Sequence, residues 1–175
     1  MLDGDWSMPD ETVSNSGPLI HLAQINRLDL LDVFPEIYIP EEVYSEVSAF
    51  DASLKEKLDR AKNIKKTAVA PKNSDQLSKK LKRFNLDLGE LQAISLCLEF
   101  GKKLFLTDDL DAREAAAELG LDPHGSVGII VLAYRKKHIN YEDAEKAMHA
   151  LYEISNLFIT KSIINIGIAE LKKHK

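Results

Sequence analysis

The sequence predicts an α/β fold in which helices cover both faces of a parallel β-sheet. Short β-branched or aromatic runs, such as residues 37–39 and 103–107, alternate with helical patterns along the chain. Strands that alternate with helices form βαβ units, in which the strands run parallel. The chain has 175 residues, which suits one domain, and its 45% hydrophobic and 29% charged residues are ordinary for a globular protein.

Pro40 marks the start of a helix after the second predicted strand. Proline fits a first helical turn, and the two glutamates that follow complement the helix dipole. Val43, Val47 and Phe50 recur at helical spacing, so we expect them to face the core. The other elements expected in this half are strands at 12–15 and 64–69, a helical stripe over 18–25 that continues through 28–34, and helices at 53–62 and 74–84.

Glycines close two helices in the second half of the chain. The helix predicted over 87–100 ends before Gly101, and the helix predicted over 111–119 ends before Gly120. Glycine is favoured there because the residue after a helix often adopts a left-handed conformation. The remaining expected elements are a strand at 103–107, a short strand or turn at 122–125, and helices at 127–134, 141–156 and 161–174.

The expected organisation is a tail, one domain and a helical extension. Residues 1–10 read as a frayed or disordered tail, and residues 11–140 as the domain, with a basic helical segment at about 52–84. Residues 141–175 are expected to form helices that pack on the domain or on a partner. The acidic N-terminus lacks an apolar signal sequence, and no apolar run approaches the roughly 20 residues of a membrane span. We therefore expect a cytoplasmic protein with no membrane contact.

The single cysteine, Cys97, lies in an apolar helical stretch. A lone cysteine cannot form an intrachain disulfide, and such a setting is typical of a small core residue rather than a reactive thiol. The five histidines show no zinc-ligand spacing, and His21 is expected to be a satisfied core or boundary histidine.

The basic segment has two open interpretations. Residues 52–83 hold eleven Lys or Arg and three Asp or Glu, although the whole chain has a net charge of −5. Such a segment could attract nucleic acid to one face of an acidic body. A solvated pair of lysine-rich helices explains the same composition, because no interleaved aromatic residues are present to stack on bases. The candidate RNA-contacting residues are Lys65, Lys66, Lys79, Lys80, Lys82 and Arg83.

Acidic residues gather where strands end and helices begin. Asp108 and Asp109 follow the strand predicted over 103–107, and Glu90 lies in the first turn of a helix. In open parallel sheets, sites form at the carboxyl ends of the strands. Mg²⁺ and Mn²⁺ prefer oxygen ligands, so this arrangement suits one of these cations held against a phosphodiester.

Glu90 also has a purely structural interpretation. Asp87 and Glu90 have the spacing of a capping box, in which each side chain accepts a hydrogen bond from the other's backbone. Gly89 in this first turn costs about 1 kcal/mol against alanine, and a close approach to the backbone would explain it. One of Asp108 and Asp109 could likewise cap the next helix, although adjacent carboxylates repel each other and favour a cation.

Glu46 is predicted to lie at the edge of the buried face of its helix. On a helical wheel it borders the core stripe rather than facing water. Carboxylates seldom lie there without a partner, so either a bound cation or an ion pair with Lys or Arg would account for it.

Four motifs, in order over about residues 12–138, resemble those of PIN-domain proteins. They read SNSGPLI at 14–20, IPEEVYSE at 39–46, LDLGE at 86–90 and LTDDLDAR at 106–113. The resemblance implies a three-layer α/β/α sandwich around a Rossmann-like parallel sheet. It also implies a Mg²⁺- or Mn²⁺-dependent endoribonuclease acting on single-stranded RNA. Many relatives are VapC-type toxins that are inhibited by a small antitoxin, and many form homodimers.

The resemblance carries the family's acidic quartet to Asn15, Glu46, Glu90 and Asp109, with Asp108 assisting. These are the implied catalytic and metal-binding residues. Asn15 departs from the aspartate common in active members, because an amide oxygen can bind a hard cation but brings no charge. Two functions therefore stay open: a working ribonuclease, or a weakened or inactive PIN scaffold that binds RNA or a protein partner. A receiver-type signalling domain fits less well, since it needs an acidic pair near the first strand and a lysine after a late strand.

Overall fold

The computed structural model of the chain describes residues 11–175, and the tail expected over residues 1–10 lies outside the described residues. Within the described part, the strands are β1 (Thr12–Ser14), β2 (Ile37–Pro40), β3 (Ile64–Thr67), β4 (Leu104–Leu106) and β5 (Asp122–His124). The helices there are α1 (Ser16–Gln24), a 3₁₀ helix (Leu28–Val33), α2 (Glu41–Phe50), α3 (Ala52–Arg60), α4 (Pro71–Lys80), α5 (Leu88–Phe100), α6 (Leu110–Glu118), α7 (Ser126–Arg135), α8 (Tyr141–Glu153) and α9 (Lys161–Lys173).

The five strands form one parallel sheet with the order β3-β2-β1-β4-β5. Val13 in the central strand pairs with Tyr38 on one side and with Phe105 on the other. The chain adds strands outward from β1 to β3 and then returns to the other side of β1 for β4. The expected α/β fold with a parallel central sheet is confirmed.

Helices cover both faces of the sheet and bury two apolar cores. On one face α1, α2, α3 and α7 pack on side chains such as Ile39 and Leu106. On the other face α4, α5 and α6 pack on Val13 and Phe105. Neighbouring strand residues such as Phe105 and Leu106 serve opposite cores because side chains alternate along a strand. The result is the expected α/β/α sandwich, and α8 and α9 pack against α7.

Two local expectations were wrong. The apolar stripe over 28–34 does not continue α1, because Asn26 adopts a left-handed φ of 55° and the chain restarts as a 3₁₀ helix. Phe50 does not face the core and is 49% exposed. It is the last residue of α2, and Asp51 immediately caps α3 by accepting hydrogen bonds from its first turn, so the chain turns away before Phe50 can be covered.

Most other boundaries moved by only a few residues. The helix expected at 74–84 begins at Pro71, because proline occupies its first turn, and it ends at Lys80. Cys97 is fully buried, as expected, and burial raises the pKa of its thiol. Over residues 11–175, no helix has both the length and the apolar character needed to cross a membrane.

Candidate functional site

The candidate site lies where the strand order reverses, between the carboxyl ends of β1 and β4. Chain connections leave these two neighbouring strands toward opposite sides of the sheet, which opens a crevice at their ends. Asn15 follows β1 and extends its pairing by donating its backbone N–H to the carbonyl of Leu106 at 3.0 Å. Asp108 and Asp109 follow β4, so the topology brings Asn15 beside both aspartates.

Asn15 is held in one orientation by two hydrogen bonds. It is the N-cap of α1, and its Oδ1 accepts from the backbone N–H of Gly17 at 3.1 Å. Its Nδ2 donates to Oγ1 of Thr107 at 2.8 Å, and the same Oγ1 accepts the backbone N–H of Asp109 at 3.2 Å. Thr107 therefore ties Asn15 to the start of the loop that carries Asp109.

Glu46 lies half-buried on α2 at the border of the core, where the sequence pattern placed it. Its carboxylate interacts with the side chain of Ser16 at the start of α1. Burial raises the pKa of Glu46, and the carboxylates of Asp87 and Glu42 raise it further. A Cβ atom at Gly89 would overlap Oε1 of Glu46, so the bare backbone of Gly89 makes room for this carboxylate.

Glu90 forms the expected capping box at the start of α5. Asp87 Oδ1 accepts from the backbone N–H of Glu90 at 2.8 Å, and Glu90 Oε2 accepts from the backbone N–H of Asp87 at 2.9 Å. Burial raises the pKa of Glu90 to about 7, against the lowering effect of the hydrogen bond from Asp87. The charges of Asp87, Asp109 and Glu46 contribute to the increase, so acids on three helices interact electrostatically.

Asp109 caps α6 and is exposed. Its Oδ1 accepts from the backbone N–H of Ala112 at 2.8 Å. Among the described residues, Oδ2 of Asp109 and Oε1 of Glu90 make no hydrogen bond. Each of these two acids therefore uses one oxygen as a helix cap and keeps the second for another partner.

Asp108 differs because both of its oxygens are engaged. Oδ1 accepts the backbone N–H of Ser126 at 2.7 Å, and Oδ2 accepts the Ser126 hydroxyl at 2.6 Å. Oδ2 also lies 2.7 Å from Nδ1 of His21, which makes His21 the satisfied boundary histidine that the sequence suggested. A Cβ at Gly125 would lie 2.5 Å from Oδ1 of Asp108, so glycine is needed beside it. Asp108 thus joins the end of β4 to α1 and α7.

The chemistry of this set fits a hard divalent cation. Glu46, Glu90, Asp109 and Asn15 offer only oxygen donors, and mutual repulsion and burial favour a positive charge among the carboxylates. In the part of the chain that the structure describes, no three His, Cys, Asp or Glu side chains converge on one point as ligands. The uncapped oxygens of Glu90 and Asp109 would have to turn toward Glu46 to share an ion.

Sequence reasoning missed three residues that organise this site. Ser16 supports Glu46, Thr107 links Asn15 to the Asp109 backbone, and Ser126 holds Asp108. Ser16 and Thr107 lie inside the motifs that carry the resemblance, which was a usable signal. Ser126 is 18 positions from Asp108, and no local pattern connects the two.

The basic residues divide into two groups. Lys65 and Lys66 are exposed on β3 at the edge of the sheet, and Nζ of Lys66 lies 4.5 Å from the centre of the Tyr44 ring. The others lie at the end of α4 and just after it. There, Arg83 pairs with Glu118 of α6. The second group is Lys79, Lys80, Lys82 and Arg83.

The connection after α4, which carries Lys82 and Arg83, passes beside the first turn of α6 at Asn85. The backbone N–H of Asn85 donates to Asp111 there at 3.2 Å, and Asp109 caps the same turn. The fold thus places Arg83 and the residues after it, and not the lysines of β3, against the helix that Asp109 caps.

Comparison with known families gives a match over nearly the whole described chain. A family model described as a PIN domain matches residues 11–173, which include all five strands of the sheet. No curated protein matches the chain well enough to identify a relative. Since the model covers far more than half of the sequence, the chain belongs to the PIN-domain family.

Proposed function

We propose that this PIN-domain protein is a divalent-metal-dependent endoribonuclease that hydrolyses phosphodiester bonds in RNA. The fold is a nuclease-type fold. The observation that carries the proposal is the interaction of Glu46, Glu90 and Asp109 beside Asn15, at the point where the strand order reverses. Glu90 is buried and Glu46 half-buried, and carboxylates are costly to bury near other carboxylates unless a cation offsets their repulsion.

Under this proposal, Glu46, Glu90 and Asp109 would hold Mg²⁺ or Mn²⁺, with Asn15 adding a neutral amide oxygen. A bound cation of this kind supplies charge and Lewis acidity for attack on a phosphodiester. Glu90 would release its proton near neutral pH, because its pKa of about 7 is within reach of solution pH.

Two neighbours would position these ligands. Gly89 leaves space for the Glu46 carboxylate, and Thr107 fixes both Asn15 and the backbone of Asp109. Asp108 was expected to assist as a metal ligand, and we instead propose a positioning role. Both of its oxygens already accept hydrogen bonds from Ser126, and one also lies against His21.

The second basic group would contact the RNA backbone. Lys79, Lys80 and Lys82 are exposed at the end of α4 and just after it, and phosphate contacts of this kind contribute affinity without reading sequence. Lys65 and Lys66 would serve at most as a second contact at the edge of the sheet. Exchanging Lys79, Lys80 and Lys82 for glutamate should weaken RNA binding and reduce its salt dependence more than exchanging the two β3 lysines. Equal effects of the two exchanges would count against this path.

Metal-dependent cleavage of single-stranded RNA tests the proposed activity. We expect cleavage with Mn²⁺ that is lost in the variant Asp109→Ala and kept in Glu114→Ala, an exposed acid on the same helix. Absence of cleavage with either Mg²⁺ or Mn²⁺, together with no bound metal in a titration, would overturn the proposal.

A weakened PIN scaffold is the second candidate, and Asn15 is the observation that favours it. Its amide provides no charge, and its Oδ1 and Nδ2 are already bonded to Gly17 and Thr107. In Asn15→Asp the Thr107 hydroxyl can turn and donate to the new carboxylate, so the site gains charge without losing its contacts.

We expect Asn15→Asp to raise Mn²⁺ affinity by at least tenfold, measured by calorimetry, because a charged ligand replaces a neutral one. The matched control is Asn140→Asp, since Asn140 caps α8 through the same kind of hydrogen bond and is on a different helix from Glu46, Glu90 and Asp109. If the native protein already binds Mn²⁺ as tightly as Asn15→Asp, the weakened scaffold loses its support.

A protein partner is also proposed, on the strength of exposed apolar side chains near α9. Phe158 between α8 and α9 is 99% exposed, and Ile154, Ile163 and Ile166 are also exposed. The family implies a second copy of the chain or a small antitoxin as the partner. Light scattering of the native protein and of Phe158→Ser should show a dimer that the substitution weakens. A native monomer would remove the homodimer from consideration.

A further inference from the structure

An open groove lies at the opposite end of helix α7 from the candidate site. It has a volume of about 720 Å³ and is formed by the end of α7, the start of α8 and the end of α9. Helix α7 begins at Ser126 beside Asp108 and ends at Arg135, so its length separates the groove from the candidate site by roughly 15 Å. The principal lining residues are Tyr134, Arg135, Lys137, His138, Tyr141 and His174.

The groove offers positive charge that the described protein does not use. Arg135 is half-buried, yet its guanidinium makes no hydrogen bond or ion pair with residues 11–175. Lys137 lines the same groove from a left-handed backbone with a φ of 59°, and its ammonium group likewise makes no hydrogen bond or ion pair with residues 11–175. Asp143 is the one carboxylate among the lining residues. A guanidinium next to an ammonium group is a typical receptor for a phosphate.

Two fixed aromatic rings stand beside these cations. The rings of Tyr134 and Tyr141 meet edge to face, with centres 6.0 Å apart and planes at 79°. Both hydroxyls are anchored, because Tyr134 donates to the His174 carbonyl at 3.0 Å and Tyr141 donates to Glu145 at 3.0 Å. The Nζ of Lys175 lies 4.4 Å from the centre of the Tyr141 ring, so a base that stacks on this face would take the place of the Lys175 ammonium group. Rings that are held in advance lose little entropy when a planar group binds.

We propose that this groove binds a nucleotide, with its phosphate on Arg135 and Lys137 and its base against Tyr134 and Tyr141. The combination of a phosphate receptor and a stacking surface fits a nucleoside monophosphate better than an inorganic anion. The ligand is either a free mononucleotide or the phosphorylated end of an RNA strand, which present the same chemistry. Nucleotide binding here does not depend on the proposed cleavage, because none of the groove residues is a proposed metal ligand.

Calorimetric titration of the full chain in EDTA tests the groove with the cleavage reaction switched off. We expect saturable binding of adenosine 5′-monophosphate, and binding of adenosine or inorganic phosphate weaker by at least roughly tenfold, because each carries half of the recognised groups. A short 5′-phosphorylated oligoribonucleotide forms the second arm. Tighter binding of the oligonucleotide assigns the groove to an RNA end, and tighter binding of the monophosphate assigns it to a free nucleotide.

Substitutions locate the binding. Arg135→Gln should weaken monophosphate binding by roughly tenfold or more, and Tyr141→Leu should weaken it severalfold. Arg60→Gln removes an exposed guanidinium on α3 and should have no effect. Thermal unfolding of each variant verifies that it is folded.

Three results would overturn the proposal: no saturable binding of either ligand at millimolar concentration, equal binding by Arg135→Gln and the native chain, or inorganic phosphate binding as tightly as the nucleotide. Asp109→Ala should keep nucleotide binding even if it loses cleavage. Arg135→Gln should likewise keep Mn²⁺ binding, so the groove and the proposed nuclease site can fail separately.

Discussion

Glu90 shows at the scale of one residue how a structural role and a chemical role can share a side chain. One carboxylate oxygen completes the capping box with Asp87, and the other remains available. Burial raises the pKa of Glu90 to about 7, so the folded protein binds a proton there more tightly than the unfolded chain does. Protonation of Glu90 therefore contributes fully to the free energy of unfolding at acid pH. This contribution is lost as the pH rises through about 7.

The variant Glu90→Gln, studied in the absence of metal, tests whether the charge of Glu90 lowers the stability of the folded protein. It keeps a side-chain oxygen for the cap and removes the charge, so we expect it to be more stable than the native protein at pH 8. The difference should be on the order of 1–2 kcal/mol, less than the full shift implies because solvent is near, and it should shrink toward pH 5. Urea unfolding at both pH values measures it. Glu99→Gln, on the exposed side of the same helix, is the matched control and should change the free energy of unfolding far less at pH 8.

Asn15 is the one neutral side chain among the four proposed metal ligands. The sequence flagged it as a departure from an aspartate, and the structure gives it two bonds that an asparagine satisfies with one oxygen and one nitrogen. These bonds explain how a neutral side chain is accommodated when it is 4% exposed. They do not supply the charge that an aspartate would bring to a cation.

In the first turn of helix α5, a glycine lowers the stability of the helix but leaves space for a neighbouring side chain. Gly89 costs about 1 kcal/mol against alanine in a helix, and a Cβ there would overlap the Glu46 carboxylate. We expect Gly89→Ala to weaken Mn²⁺ binding, because Glu46 must move away. The flexible end of Glu46 can shift, so unfolding by urea should show little or no loss of stability. A variant that binds Mn²⁺ normally would mean that the close approach has no part in the site.

The loop between β4 and α6 depends on Asp108, which ties it to two other helices. Asp108→Ala removes the bonds to His21 and Ser126 and leaves the Ser126 backbone N–H without its partner. We expect a loss of about 2–4 kcal/mol in the free energy of unfolding, as for buried hydrogen bonds to a charged group.

Asp111→Ala is the matched control for this variant, since Asp111 makes a single exposed contact with Asn85, and it should cost far less. If Asp108→Ala instead kept its stability and lost Mn²⁺ binding, Asp108 would be a ligand rather than a positioning residue.

At the scale of the whole molecule, local patterns predicted most of the fold. The alternation of short apolar runs with helical stripes predicted the parallel sheet, and glycines marked the ends of α5 and α6. The capping box of Glu90 was also visible, because it depends on residues three positions apart. The prediction that Phe50 faces the core was wrong, because helical spacing predicts which face of a helix is buried but does not show where the helix ends and the chain turns.

Contacts between distant segments could not be predicted in this way. Nothing local joins Asp108 to Ser126, or Asn15 to Thr107 across 92 positions. The basic segment looked like one patch along the chain, yet the fold places its members beside different elements. The groove at Arg135 is likewise formed by the ends of three helices, and its lining residues do not form a sequence motif.

We propose that Glu46, Glu90 and Asp109 form a site for one divalent cation or a pair of them. Calorimetric titration of the native chain with Mn²⁺ at pH 8, beside Asp109→Asn and the matched control Glu114→Gln, tests it most directly. We expect saturable binding by the native chain and the control, with a large loss of affinity in Asp109→Asn. Absence of saturable binding by the native chain, or equal affinity in Asp109→Asn, would contradict the claim.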